Sequence, residues 1–380
     1  MIFLKLKIDN FYMFKDTEID FTYPKKIKNS TIKGEYLEEF PNIKYKKVCI
    51  FMGANASGKT SLGKVMCSIN NYLMGGPLEN IAKVICDKDK EASVEVVYVT
   101  PKTKQIHKLI VKFNQEGLIF EQYRVCKLKK TYSLEQTFLD VDESSSKFLY
   151  DKDNNHGIEK PGFKSVAYAM GYHLHEEEHN WSYMFSAFNN STVLDANINT
   201  EIRLLKKILS AFDSSIVDVK KIPKGINPGK NSYVVHFANK DSVIIDDGKM
   251  LNPERFSRGT LESIEVASFI SFLQLEENGT FFLDEKMAYS HSEMEMAILN
   301  LLIEKLKSNS QLFYTTHNYD VLEMNLPSHS YTFMRKEDFV EVIHPEKLGY
   351  TKNDRSLLGF VKNDVFGTLP DTTKIEELLW

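Results

Sequence analysis

Eight consecutive residues constrain this chain more than any others: Gly53-Ala54-Asn55-Ala56-Ser57-Gly58-Lys59-Thr60 satisfies G-x-x-x-x-G-K-[ST] without a mismatch. The flanks fit a phosphate loop. Val48-Cys-Ile-Phe-Met52 is a continuous apolar run, the mark of a strand buried on both faces. The pattern after the loop predicts a helix from Lys59 to about Leu73. Between such a strand and helix, glycines let backbone N–H groups converge on phosphate oxygens, and the helix N-terminus adds its positive end. Lys59 is placed to neutralise the β/γ oxygens, with Ser61 completing the nucleotide-binding set. Thr60 offers a hydroxyl to Mg²⁺, a hard ion that prefers oxygen.

Three further motifs extend the same chemistry. Thr280-Phe-Phe-Leu-Asp284-Glu285 is an apolar strand ending in two carboxylates. Asp284 is placed to hold Mg²⁺ through water, and Glu285 to polarise the water that attacks the γ-phosphate. Gln311-Leu-Phe-Tyr-Thr-Thr316-His317 is a second such strand, with His317 placed to contact the γ-phosphate and orient the water. Phe256-Ser257-Arg258-Gly259-Thr260 precedes a helix pattern, so Ser257, Gly259 and the helix N-terminus form a second anion site.

The rest of the pattern is α/β. The first residues alternate apolar and charged, as a half-buried strand does and a signal peptide does not. Strands are expected at 93–100, 108–114 and 118–127 as an antiparallel sheet, and again at 215–222, 232–238 and 242–246. Residues 165–213 show mostly helical periodicity. Residues 22–47 carry seven lysines against three glutamates and read as a polar loop, either a basic finger or a solvated insertion. The net charge of 48 − 52 = −4 argues against a histone-like polycation. No apolar run reaches the ~18 residues that cross a bilayer, so no membrane partner is expected. Four dispersed cysteines (Cys49, Cys67, Cys86, Cys126) without C-x-x-C spacing fit a reducing, cytoplasmic setting.

These four motifs in this order resemble the ATP-binding-cassette (ABC) class of ATPases. Lys59 then belongs to the Walker A motif, Ser257-Arg258-Gly259 to the signature, Asp284-Glu285 to Walker B, and His317 is the switch histidine. Asn55 and the opening Asn10-Phe11…Phe14-Lys15-Asp16 look like the chromosome-maintenance, RecF and OLD (overcoming lysogenization defect) branch. The nearest resemblance there is to stand-alone bacterial AAA-family ATPases found beside effectors in anti-phage systems. The resemblance implies a two-lobed ABC-type P-loop ATPase head with an antiparallel β-subdomain and a helical insertion. Its parts would be an N-terminal lobe at 1–145, the insertion at 146–214 and a C-terminal lobe at 215–380. ATP and Mg²⁺ would be the cofactors. A homodimer or higher homo-oligomer would share two sites, each built from Walker A of one chain and the signature of the other. A separately encoded toxin or nuclease would be the partner. Arg258 departs from the glycine of many cassette proteins. No glutamine-loop residue is evident, Gln105 and Gln122 both falling on strands. Neither a coiled-coil arm nor an acidic nuclease domain after residue 340 can be read.

Two other classes fit parts of the sequence. A DNA-repair or recombination ATPase would clamp DNA between paired heads, using the lysines of 22–47 and of Lys127-Leu-Lys-Lys130. A zinc hydrolase would use His175-Glu176-Glu177-Glu178-His179, which matches H-E-x-x-H, with His173 nearby. That segment is highly charged and offers no identifiable third ligand, which favours a surface stretch or an incidental metal site.

Overall fold

Alternation along the first strand decides how the N-terminal part of the chain is laid down. Leu4, Leu6 and Ile8 of Ile2–Asp9 (β1) are buried while Lys7 faces solvent. In this computed structural model, which describes residues 1–24, 30–78, 83–154, 162–172, 181–185, 201–222, 232–246, 249–250, 252–351, 357–370 and 372–379, β1 lies second from the edge of a six-stranded sheet. Its neighbours are Thr17–Asp20 (β2) and Ala92–Thr100 (β6), both antiparallel. The sheet continues through Gln105–Asn114 (β7), Gly117–Lys127 (β8) and Phe148–Asp151 (β9). Asn10 turns the chain out of β1 in the left-handed region, at φ 60°. Its side chain accepts from Asp87 N at 2.7 Å and donates to the Asp87 and Glu91 carbonyls, fastening the 85–91 turn.

The segment read as a polar loop is partly structured. Tyr36–Leu37 (β3) and Phe40–Lys44 (β4) form a small ribbon that buries Leu37, Phe40, Ile43 and Tyr45 against Ile2, Leu4 and Val97. Four apolar anchors spread among lysines are enough to bury that ribbon, so the solvated-insertion reading fails for residues 36–45.

The apolar runs without alternation become the centre of a second six-stranded sheet. Val48–Met52 (β5), Thr280–Asp284 (β15) and Gln311–Thr316 (β16) are buried over their whole lengths. The order is β10-β15-β16-β5-β17-β18, with β10 at Trp181–Phe185, β17 at Tyr331–Lys336 and β18 at Val340–Ile343. β15, β16, β5 and β17 are mutually parallel, as expected of strands covered on both faces. One aromatic core joins the two sheets: Phe3 and Phe21 meet Phe313 edge-on, at ring centroids 6.0 and 5.2 Å apart. The Gln311 side chain adds a polar rung, accepting from Phe3 N at 2.9 Å and donating to the Phe3 and Lys46 carbonyls at 3.1 Å.

By contact the chain divides into two compact units, the first being Met1–Tyr183, Asn278–Asp284 and Ser308–Trp380, the second Met184–Glu277 and Glu285–Lys307. Both sheets above lie in the first, apart from the last two residues of β10. The second contains Ile202–Phe212 (α4), a four-stranded antiparallel sheet of Ile216–Lys221, Ser232–Phe237, Ser242–Asp246 and Lys249–Met250 (β11–β14), Arg258–Leu275 (α5) and Ser292–Lys305 (α6). Helix α4 packs along α5. The described part of residues 146–214 therefore holds β9, a short helix at Val166–Ala169 (α3), β10 and α4. A helix at Leu134–Glu143 (α2), opened by a Ser133/Gln136 capping box, follows the strand expected at 118–127, where the sequence pattern predicts no helix. Among the described residues no helix is long and apolar enough to cross a membrane.

A buried charge cluster fixes the entry to β5. Lys46 Nζ lies 2.6 Å from Glu346 Oε1 and 3.3 Å from His344 Nδ1, and all three residues are almost fully buried. Burial, then the Lys46 and Lys347 charges, hold the His344 imidazole well below its ordinary pKa. The unfolded chain takes up that proton near the usual histidine value of about 6.5, whereas the folded chain resists it. Stability is thus complete above about pH 6.5 and is lost as pH falls below it. We expect the urea midpoint to drop between about pH 7.5 and 5.5, and His344→Gln to show a shallower drop. Equal slopes would mean His344 titrates alike in both states.

Candidate functional site

The loop after β5 is shaped by steric necessity before any chemistry. A Cβ on Gly53 would stand 2.1 Å from the Met334 carbonyl oxygen of β17, so no other residue fits there. Ala56 and Gly58 take positive φ, 63° and 102°, turning the chain into Lys59–Leu73 (α1), which Gly58 caps. Lys59 is 3% exposed, and its ammonium donates to the Gly53 and Ala54 carbonyls at 2.8 and 3.1 Å. Asn55 and Ala56 are exposed on the crest of the loop, and Ala54, Thr60 and Ser61 are half-buried. Among the described residues the Ser57 hydroxyl is buried without a hydrogen-bond partner. A cation folded into its own loop, an orphaned hydroxyl and a helix N-terminus together suit a phosphate group.

Asp284, at the tip of β15, is fully buried. Opposite it across the parallel ladder, Thr315 donates its hydroxyl to Oδ1 at 2.5 Å. On the other side, the Tyr183 hydroxyl of β10 lies 3.4 Å from Oδ2. Burial and the Asp284 charge both push the Tyr183 phenol well above its ordinary pKa, so it stays a donor at neutral pH. A Cβ on Gly63, in the second turn of α1, would come within 2.7 Å of Phe282 and 2.9 Å of Tyr183; this glycine lets the loop's helix sit tightly on β15 and β10. Oxygen donors of this kind, with Thr60 at the start of α1, fit a hard divalent cation such as Mg²⁺.

His317 follows Thr315 and Thr316 at the end of β16 and is exposed. It lines, with Ala54–Ser57, Tyr319 and Arg335–Glu337, a groove of about 780 Å³ over the loop. The far wall is the Gly367–Pro370 turn, which Tyr319 fastens by donating to Thr368 O at 2.7 Å.

The remaining residues belong to the second unit. Ser257 caps α5, accepting from Thr260 N at 3.1 Å, so its hydroxyl stands at a helix N-terminus. The Arg258 guanidinium lies 3.9 Å from the centre of the Tyr289 ring, and a Cβ on Gly259 would sit 3.3 Å from Tyr289 O. Glu285 has φ 48°, a conformation that costs a side-chain-bearing residue about 1 kcal/mol. The next residue, Lys286, is buried and ion-paired with Glu265 of α5. Pattern reading did not single out Tyr183, Gly63 or Thr315; a tyrosine two residues after a tryptophan in a short strand carries no motif. His173, His175, Glu176 and His179 lie outside the described residues.

Neither protein-family models nor curated protein sequences match the chain. Solved structures do. An Smc head domain with an extended coiled coil, bound to the C-terminal domain of ScpA derived from Pyrococcus furiosus, aligns over 92% of this chain and 98% of its own at 12% identity, with a TM-score of 0.52. An SmcHead bound to the C-winged helix domain of ScpA aligns over 92% and 99% at 13% identity, TM-score 0.49. The SMC head domain from Thermotoga maritima aligns over 90% and 99% at 11%, TM-score 0.44. The fold is that of an SMC head domain.

Gly53→Ala tests the loop geometry. A methyl held against a backbone oxygen should cost about 1–3 kcal/mol of folding free energy and displace the loop. We expect a melting temperature below that of the wild type. A variant melting like the wild type would contradict the packing described.

Proposed function

We propose that this chain binds and hydrolyses ATP with Mg²⁺ and works as paired heads, a nucleotide-driven switch for a second protein. The observation that carries the reading is Asp284, a fully buried carboxylate held by Thr315 on the strand that separates it from β5 and the Lys59 loop. In this reading the loop amides and Lys59 bind the triphosphate, and Thr60 and Asp284 hold the Mg²⁺. The ion, when bound, neutralises charge on the β and γ oxygens. Glu285 takes the proton of the attacking water, and the exposed His317 orients that water from across the loop. Ser257, Arg258 and the Gly259 amide cap the γ-phosphate held by the other copy, which makes a homodimer or higher homo-oligomer the working form.

The partner is read from two directions. The likeness to the OLD-related branch favours a separately encoded toxin or nuclease of an anti-phage system. The Pyrococcus furiosus head is bound to a ScpA domain, which supports a protein partner for a head of this fold. A second reading, DNA held across paired heads, draws on Lys127, Lys129 and Lys130, all exposed, although Lys129 is ion-paired with Asp140 at 3.0 Å. Steep salt dependence of a duplex-stimulated ATPase would favour it.

Glu285→Gln separates binding from chemistry. The amide cannot accept the proton, so ATP should still bind while hydrolysis falls at least about 100-fold. With saturating ATP and Mg²⁺ the variant should accumulate as a larger species in light scattering. Turnover at the wild-type rate would show that Glu285 is not the base, and a variant that stays monomeric would remove the shared site.

A further inference from the structure

The carboxylate proposed to face the metal is flanked by hydroxyls from both neighbouring strands. Thr315 of β16 reaches Oδ1 and Tyr183 of β10 reaches Oδ2. The Thr315 contact belongs to the parallel register, in which Thr315 stands directly opposite Asp284. The Tyr183 contact is built separately. Its strand is the edge strand beside β15, its ring packs on Phe282 at a centroid distance of 5.4 Å, and Gly63 clears the space that the ring occupies. Three elements, α1, β15 and β10, thus converge to hold one phenol against one carboxylate oxygen.

We infer that Tyr183 is a positioning residue for the metal site, fixing the plane of the Asp284 carboxylate through Oδ2. This rests on the ATPase reading above and adds a residue that no motif supplies. A carboxylate restrained on one oxygen alone can rotate about its Cβ–Cγ bond; donors on both oxygens pin it. A ligand already oriented loses less freedom when the ion arrives, so the metal binds more tightly without any change in the phosphate loop. The role is distinct from packing, because the ring can be kept while the hydroxyl is removed.

Tyr183→Phe makes that separation. The probe is Mn²⁺, titrated by electron paramagnetic resonance into protein saturated with a non-hydrolysable ATP analogue. We expect the Mn²⁺ dissociation constant to rise about three- to tenfold, the loss of one modest hydrogen bond. Analogue affinity in EDTA and the melting temperature should remain at wild-type values, and the Mg²⁺ concentration for half-maximal ATPase should rise in parallel. Unchanged Mn²⁺ affinity in Tyr183→Phe, with the wild type binding the ion normally, would overturn the role of Tyr183 and leave the ATPase reading intact. A wild-type complex that binds no Mn²⁺ would overturn both.

Discussion

The parallel register of three strands is the constraint on which the site depends. Asp284 stands opposite Thr315, Thr315 opposite Phe51, and Thr316 opposite Met52, the residue before Gly53. The ladder therefore ends β15, β16 and β5 at one level, and places the carboxylate, the Thr315 hydroxyl and the start of the Gly53–Thr60 loop along a single edge. In an open α/β sheet this carboxyl-end edge is where ligands bind. A slip of one residue would turn Asp284 to the opposite face and separate it from Thr315. Complete burial of all three strands specifies the register, because every residue must find a packed neighbour on both faces.

The antiparallel sheet makes that burial possible. Its inner face supplies Phe3 and Phe21 to Phe313, and Gln311 ties β1 to the residue two before β5 through three hydrogen bonds. At the other end of β5, Gly53 fits under the Met334 carbonyl because it has no side chain. The strand is thus located at its start by a buried Lys46–Glu346 pair and at its finish by a steric limit. Such a pair is costly to desolvate and is weak evidence of net stability; its evident effect here is to fix the point at which β5 begins.

Much of this was legible in the sequence because it rests on local signals. Continuous apolar runs gave β5, β15 and β16 to within a residue or two, and the G-x-x-x-x-G-K-T spacing located the loop between strand and helix. Elements held by scattered contacts were not legible. The ribbon β3–β4 relies on Leu37, Phe40, Ile43 and Tyr45 among charged neighbours, and β9 is a four-residue edge strand. Helix α2 buries only Thr137 and Val141, so its periodicity is faint despite a sound capping box. Tyr183 matters through a strand neighbour a hundred residues away, and single-sequence pattern reading has no access to that pairing. For Glu285 and the Ser257–Gly259 segment the structure adds local geometry to the motif: a backbone at positive φ, a helix N-terminus and an arginine stacked on Tyr289.

The central claim is that the Lys59 loop binds the triphosphate of ATP, and calorimetric titration of ATP in the presence of Mg²⁺ tests it most directly. The account predicts saturable binding by the wild-type chain. It predicts a loss of about 100-fold or more in Lys59→Ala, where a nearly buried cation is removed from charge-assisted contact with phosphate oxygens. Wild-type protein that binds no ATP, or a Lys59→Ala variant that binds it as tightly as the wild type, would contradict the account.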